Sequence, residues 1–299
     1  MRWSADVDQF VEAIVLRVKE QLQAQAAAQV DPSSPCRAGK HECIGCGWSV
    51  RRRPADVRRI LDHGAARVAS RPGVGPVQRE LASHIDHTLL RANATRDELR
   101  ALCEEAVRYG FATVCVNPSN VRFCANLLRG TPVGVCTVVG FPLGATTSRA
   151  KAFEAREAIR HGATEIDMVM NIGALKSKDY ATVLDDIAQV VAASAPHKVK
   201  VILETGMLSD RDKVIACALA KAAGAHFVKT STGFGPGGAT IEDVRLMKEV
   251  VGDDVEVKAS GGVRTAEAAR QMLAAGATRI GASASVAIVT GRKPRRRAA

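Results

Sequence analysis

The chain has 299 residues, of which 46% are hydrophobic and 24% charged. That is enough for one large domain plus an extension, and no run of about 18 apolar residues offers a membrane span. The formal charge of +11 is unevenly spread: +4 over residues 1–76, +2 over 77–290 and +5 over 291–299. The large central stretch is therefore nearly neutral. With aromatics at only 4%, neither a basic face nor a base-stacking platform for nucleic acid is expected.

Residues 5–25 read as one amphipathic helix. Val7, Phe10, Val11, Ile14, Val15, Val18 and Leu22 recur at three- and four-residue steps with charges between them. Asp6 and Asp8 stand near the N-terminus, and no signal-peptide core follows. The Pro/Ser linker at 31–35 ends any helix. Cys36, His41, Cys43 and Cys46 come next, four soft donors whose Cys43–Cys46 pair has metal-knuckle spacing. Zinc, an iron–sulfur cluster and a metal-free thiol patch all remain open for this group. An Arg-rich stretch from Arg51 to Arg71 precedes a second break at 71–76.

From residue 79 the pattern becomes regular. Short β-branched runs at 84–90, 112–117, 133–141, 165–171, 198–204, 226–231, 255–259 and 278–282 alternate with helical stretches. Thr95 and Glu98 form a capping box at the start of the first long helix. Gly162, Gly224 and Gly276 each close a helix just before a strand. Eight strand–helix units in about 210 residues specify a (β/α)8 barrel. An open doubly wound sheet is the alternative, but the first run, HIDHTLL, is followed by no glycine-rich turn. The expected organisation is a helix in 1–30, a Cys/His and Arg-rich segment in 31–78, the barrel in 79–291 and a basic tail in 292–299. The tail reads as solvated, with contact to an acidic partner as the other option.

Barrel chemistry gathers where strands end and βα loops begin. Alternation in EIDMVMN (165–171) puts Asp167, Val169 and Asn171 on one face and Ile166, Met168 and Met170 on the other. The sixth and seventh runs, FVKTSTG and VKASGG, each carry one lysine, Lys229 and Lys258, near a strand end. Neighbouring strands lie about 4.8 Å apart, so the two ammonium groups are expected close together. A like charge and a low-dielectric wall favour a neutral amine, the form that attacks a carbonyl. The alternative is a structural ion-pair cluster in which Asp86, Asp167 and Glu204 neutralise both lysines. Ser260, Gly261 and Gly262 end the seventh run, and Gly281 to Ser285 end the eighth. With Gly233, these turns suit a phosphate.

At these residues the sequence resembles the deoxyribose-phosphate aldolase family over 79–291. The motifs IDHTLL (85–90), EIDMVMNIGAL (165–175), VILET (201–205), FVKTSTGF (227–234) and VKASGGV (257–263) occur in the family's order and spacing. The resemblance implies reversible cleavage of 2-deoxy-D-ribose 5-phosphate to acetaldehyde and D-glyceraldehyde 3-phosphate. Lys229 would form the Schiff base, and Lys258 with Asp167 would tune it and relay protons. Cys115, Asp86, Lys200, Thr230, Gly233, Gly262 and Ser283 would contact or support the substrate. Ala284 departs from a serine found in some members. No metal or cofactor is implied, since a protonated imine serves as the electron sink. Another Schiff-base aldolase and an inactive scaffold are the competing readings.

The helix and linker resemble an encapsulation peptide of bacterial microcompartment cargo, which implies a shell-protein partner for residues 5–25. Packing on the barrel or on a second copy of the chain is the alternative. Cys103, Cys115, Cys124, Cys136 and Cys217 sit in apolar runs, as reduced thiols of a cytoplasmic protein do. A homo-oligomer is expected.

Overall fold

The computed structural model describes residues 9–17, 20 and 78–291. The thiol and histidine cluster at Cys36, His41, Cys43 and Cys46, the Arg-rich stretch and the basic tail lie outside the described residues. Eight parallel strands close into a barrel in the order of the sequence. They are β1 (Ile85–Leu89), β2 (Thr113–Val116), β3 (Gly134–Val139), β4 (Glu165–Val169), β5 (Lys198–Ile202), β6 (Phe227–Lys229), β7 (Glu256–Ser260) and β8 (Arg279–Ala282). Each of the eight expected runs contains its strand, or misses its last residue in the case of the seventh. The closing register pairs Asp86 with Gly281.

Helices cover the outside. The main ones are α1 (Arg96–Tyr109), α2 (Val121–Leu128), α3 (Ser148–Arg160), α4 (Tyr180–Ser194), α5 (Asp210–Ala222), α6 (Ile241–Val251) and α7 (Ala266–Ala274). The box at Thr95 forms as read: the Glu98 N–H donates to Thr95 Oγ1 at 3.3 Å, and the Thr95 N–H donates to Glu98 Oε2 at 3.0 Å. Gly162, Gly224 and Gly276 take positive φ where each helix gives way to a strand.

Strand alternation divides the buried residues into two sets. Ile166, Met168, Val199, Val201, Val228 and Val257 are fully buried and alternate with the charged positions, so they form the layer beneath the helices. The other face of the same strands carries Asp86, Asp167, Lys200, Lys229 and Lys258, also buried. The charged side chains therefore fill the barrel interior.

Residues 9–17 are helical and belong to the same compact unit as the barrel. Val11 and Val15, on the expected apolar face, are buried, while Phe10 and Leu16 are exposed. Glu12 pairs with Arg211 in the first turn of α5. Among the described residues no helix is long and apolar enough to cross a membrane.

Candidate active site

Asp167 organises the interior. It is fully buried on β4, and three lysines from the next three strands converge on it. Lys200 of β5 lies 2.7 Å from Oδ1, while Lys229 of β6 and Lys258 of β7 each lie 2.7 Å from Oδ2. The strand register explains the convergence. Asp167 pairs with Lys200, and Lys229 pairs directly with Lys258. Consecutive strands thus deliver consecutive cations to one carboxylate.

A second tier supports the first. Asp86 of β1 accepts the Thr113 hydroxyl at 2.8 Å and pairs with Lys258 at 2.5 Å and Arg279 at 2.7 Å. Glu165 pairs with Lys200 at 2.6 Å and Arg279 at 2.9 Å. Lys200 and Arg279 also approach the Phe227 ring, at 5.7 Å and 5.4 Å from its centre.

The electrostatics follow from this wiring. Burial alone would raise the carboxyl pKa of Asp86, but Lys258, Lys200 and Arg279 outweigh it and hold the group well below the usual range. Burial opposes ionisation of Asp167 in the same way, and Lys200, Lys229 and Lys258 prevail. Burial disfavours the Lys258 ammonium, yet Asp167 and Asp86 overcome that and push its pKa above the ordinary value. Lys200 shifts in the same direction, with burial again overcome, chiefly by Asp167. Lys258 is therefore a fixed positive charge beside Lys229. Four cationic side chains meet three carboxylates here, and among the described residues Lys229 is the cation whose ion pairing rests on Asp167 alone.

One wall is apolar. Leu90, Cys115, Cys136 and Val138 cluster, with Phe141 packed against them. Phe234 meets Phe141 edge-on at 5.3 Å. Cys115 and Cys136 are direct partners across β2 and β3. The hydrogen bond from the Cys136 thiol pulls the Cys115 pKa down against the opposing effect of burial. The donor atoms of Cys115, Cys136 and Asp167 lie within 4.8 Å of one another, as do those of Asp86, Cys136 and Glu165. Their carboxylates are already paired with lysine or arginine, so a divalent cation there would meet four positive side chains.

The expected anion-binding turns are open. Gly233 and Gly262 have φ of +84° and +80°, with no atom within 4 Å of a Cβ built at either. Ser283 is exposed. Gly281 serves a different purpose: a Cβ there would lie 2.2 Å from Ser260 Oγ and 3.1 Å from Lys258 Cε, so glycine leaves room for the lysine.

Two expectations need correction. The Thr230 hydroxyl donates to the Ser260 carbonyl at 2.9 Å and accepts the Ser260 N–H at 3.0 Å. It braces the ends of β6 and β7, and alternation after Lys229 accounts for its turning away from the interior. Among the described residues Glu204 pairs with no lysine; it hydrogen-bonds to Thr232. Sequence reasoning passed over Arg279, Glu165 and Cys136 as site residues. Arg279 and Glu165 were within reach of the alternation rule, because they lie two before Gly281 and Asp167; Cys136 joins the site through its pairing with Cys115 across β2 and β3.

Residues 81–294 match the model of the DeoC/LacD family aldolases. The chain belongs to that family. Among its relatives, the deoxyribose-phosphate aldolase of Caldanaerobacter subterraneus subsp. tengcongensis is 59% identical over 212 residues, covering 70% of this chain and 92% of that protein. Deoxyribose-phosphate aldolase 1 of Bacillus licheniformis is 58% identical over 214 residues, 71% and 96% of the two chains. The tetrameric deoxyribose-phosphate aldolase structure from Aeropyrum pernix superposes with a TM-score of 0.66 at 33% identity, covering 71% of this chain and 90% of that one. The closed strand order excludes the open doubly wound sheet, and this structural relative is an aldolase.

Proposed function

We propose that this family aldolase cleaves 2-deoxy-D-ribose 5-phosphate reversibly to D-glyceraldehyde 3-phosphate and acetaldehyde, with Lys229 as the covalent amine. The observation that carries the reading is the shared oxygen: Lys229 and Lys258 both lie 2.7 Å from Asp167 Oδ2. Lys258, held positive by two carboxylates, stands beside the Lys229 amine, and Asp167 lies within reach of both nitrogens to order the proton transfers of the reaction. Neutral Lys229 attacks the aldehyde carbon, and loss of water leaves a protonated imine. The substrate's C3 hydroxyl is deprotonated and the C2–C3 bond breaks. Its electron pair moves into the imine to form an enamine as glyceraldehyde 3-phosphate departs. Protonation of the enamine and addition of water release acetaldehyde and restore Lys229. Asp167 and Lys258 relay these protons, Asp86 and Lys200 hold the relay in place, and Cys115 and its apolar neighbours receive the two-carbon end. Gly233, Gly262 and Ser283 receive the phosphate.

The reading extends to the protein's setting. The five buried, free thiols of the described residues support a reducing, cytoplasmic location, and the tetrameric relative supports a homo-oligomer. Within the 5–25 segment, the described residues 9–17 bury Val11 and Val15 and pair Glu12 with Arg211, which supports packing within the barrel unit over docking on a microcompartment shell.

Borohydride reduction in the presence of 2-deoxyribose 5-phosphate tests the reaction. A two-carbon adduct mapped to Lys229 is expected. Modification of another lysine, or retained activity in Lys229→Ala, would remove the mechanism. Preferential cleavage of a longer keto-sugar phosphate would move the substrate to another Schiff-base aldolase class.

A further inference from the structure

Among the buried acids that the proposed chemistry leaves unused, one stands apart. Glu204 follows β5 and is 2% exposed. Its backbone lies at φ 58°, ψ 63°, a left-handed conformation that a glutamate seldom adopts and that costs of order 1–3 kcal/mol. Its Oε1 is buried without a hydrogen-bond partner, which adds a second penalty. A residue kept under both costs is held there by its surroundings for something other than stability.

Its other oxygen shows what that is. Oε2 accepts the Thr232 N–H at 3.2 Å and also accepts the Thr232 hydroxyl. Thr232 Oγ1 in turn accepts the N–H groups of Phe234 at 3.0 Å and Gly235 at 3.3 Å. The turn that contains Gly233 is thus wound around one carboxylate. Glycines lock it from both sides. A Cβ at Gly235 would lie 2.8 Å from the Glu204 carboxyl carbon, and one at Gly206 would lie 2.0 Å from the Pro236 carbonyl oxygen. A Cβ at Gly238 would lie 2.6 Å from the Gly261 carbonyl oxygen, and the Ala239 N–H donates to that oxygen at 3.0 Å. The loops after β5, β6 and β7 are therefore fixed to one another, with the open turns at Gly233 and Gly262 on the locked segments.

We propose that Glu204 is a positioning residue for the phosphate end of the substrate. It acts through Thr232, holding the Gly233 turn in shape before the anion arrives, so that the anion need not order the loop. The inference rests on the phosphate reading of these turns. Removing the carboxylate should loosen the turn and weaken phosphate binding, while the ion pairs of Lys200, Lys229 and Lys258 with Asp167, none of which involves Glu204, remain.

The test compares wild type, Glu204→Gln and Glu204→Gly on 2-deoxyribose 5-phosphate and unphosphorylated 2-deoxyribose, with inorganic phosphate as competitive inhibitor. Glycine removes the carboxylate yet suits the left-handed backbone; glutamine keeps an acceptor oxygen. In Glu204→Gly, KM for the phosphorylated sugar and Ki for phosphate should rise about tenfold, and the loss of kcat/KM on the phosphorylated sugar should exceed that on the unphosphorylated one by a similar factor. Glu204→Gln should recover part of the loss. Equal losses on both sugars, or an unchanged phosphate Ki in either folded variant, would overturn the role of Glu204. A wild type that does not distinguish the two sugars would remove the phosphate reading itself, and this inference with it.

Discussion

The ammonium groups of Lys229 and Lys258 converge on a single atom, each 2.7 Å from Oδ2 of Asp167. The sharing is unequal, because Lys258 has a second carboxylate, Asp86, at 2.5 Å. Lys258 thus keeps its charge, while among the described residues Lys229 pairs with Asp167 only. In Lys258→Leu the fixed charge beside the amine and one member of the proposed proton relay are lost together. The expected result is a loss of about 100-fold or more in kcat/KM, with borohydride trapping on Lys229 slowed in parallel. Steady-state kinetics and the trapping rate check this; an unchanged kcat/KM would remove Lys258 from the relay.

Asp86 ties the interior to acid stability. Its carboxyl pKa in the folded protein lies below the ordinary value because, against burial, Lys258, Lys200 and Arg279 favour its ionised form. A depressed carboxyl contributes stability above its unfolded pKa and loses it as pH falls toward the folded one. The wild type's denaturant midpoint should therefore drop between about pH 5 and 2. Asp86→Asn should start lower at neutral pH and fall less over that interval. Parallel curves for the two proteins would count against this assignment.

Arg279 bridges Asp86 and Glu165, at 2.7 and 2.9 Å from Nη1, with Nη2 a further 3.3 Å from Glu165 Oε1. Nη1 alone meets both acids, and the planar guanidinium adds through Nη2 a second contact to Glu165 that a single ammonium would lack. Arg279→Met should cost about 3–5 kcal/mol in denaturant unfolding, since it leaves buried carboxylate charge short of a partner. Arg279→Lys should recover only part, because one ammonium cannot reproduce the fork. Full recovery by lysine would show that charge alone, and not geometry, is required.

Much of this site was legible because a (β/α)8 barrel places sequence neighbours side by side. Once 165–169, 198–202, 227–229 and 256–260 are consecutive parallel strands, the register brings Asp167, Lys200, Lys229 and Lys258 together with no long-range guess. The same logic turns Thr230 away from Lys229, whereas the family motif groups the two. Glu204 was harder to read. Its left-handed backbone takes it out of the β5 repeat, so the period-two rule no longer says where its side chain goes. Arg279 was obscured by a motif-centred view of β8 that began at Gly281. The docking of residues 9–17 could not be chosen from sequence, because an amphipathic face states only that something covers it.

Outside the barrel, Lys151 of α3 and Asp186 of α4 form a buried ion pair of 2.6 Å, with side-chain exposures of 0% and 1%. Burial is the leading influence on both, lowering the lysine pKa and raising the aspartate pKa, and the mutual attraction only partly offsets it. Both shifts disfavour the charged forms, so the pair specifies how the two helices meet more than it stabilises them. The space is already tight, since a Cβ at Gly140 would lie 2.8 Å from Lys151 Cε. Lys151→Met alone strands the Asp186 charge and should destabilise by about 3–5 kcal/mol, as should Asp186→Leu for the opposite reason. The double variant should recover most of either loss, giving a large coupling energy in a double-mutant cycle of unfolding free energies. Additive losses would show instead that each residue acts through its own packing, and that the ion pair contributes nothing to how α3 seats on α4.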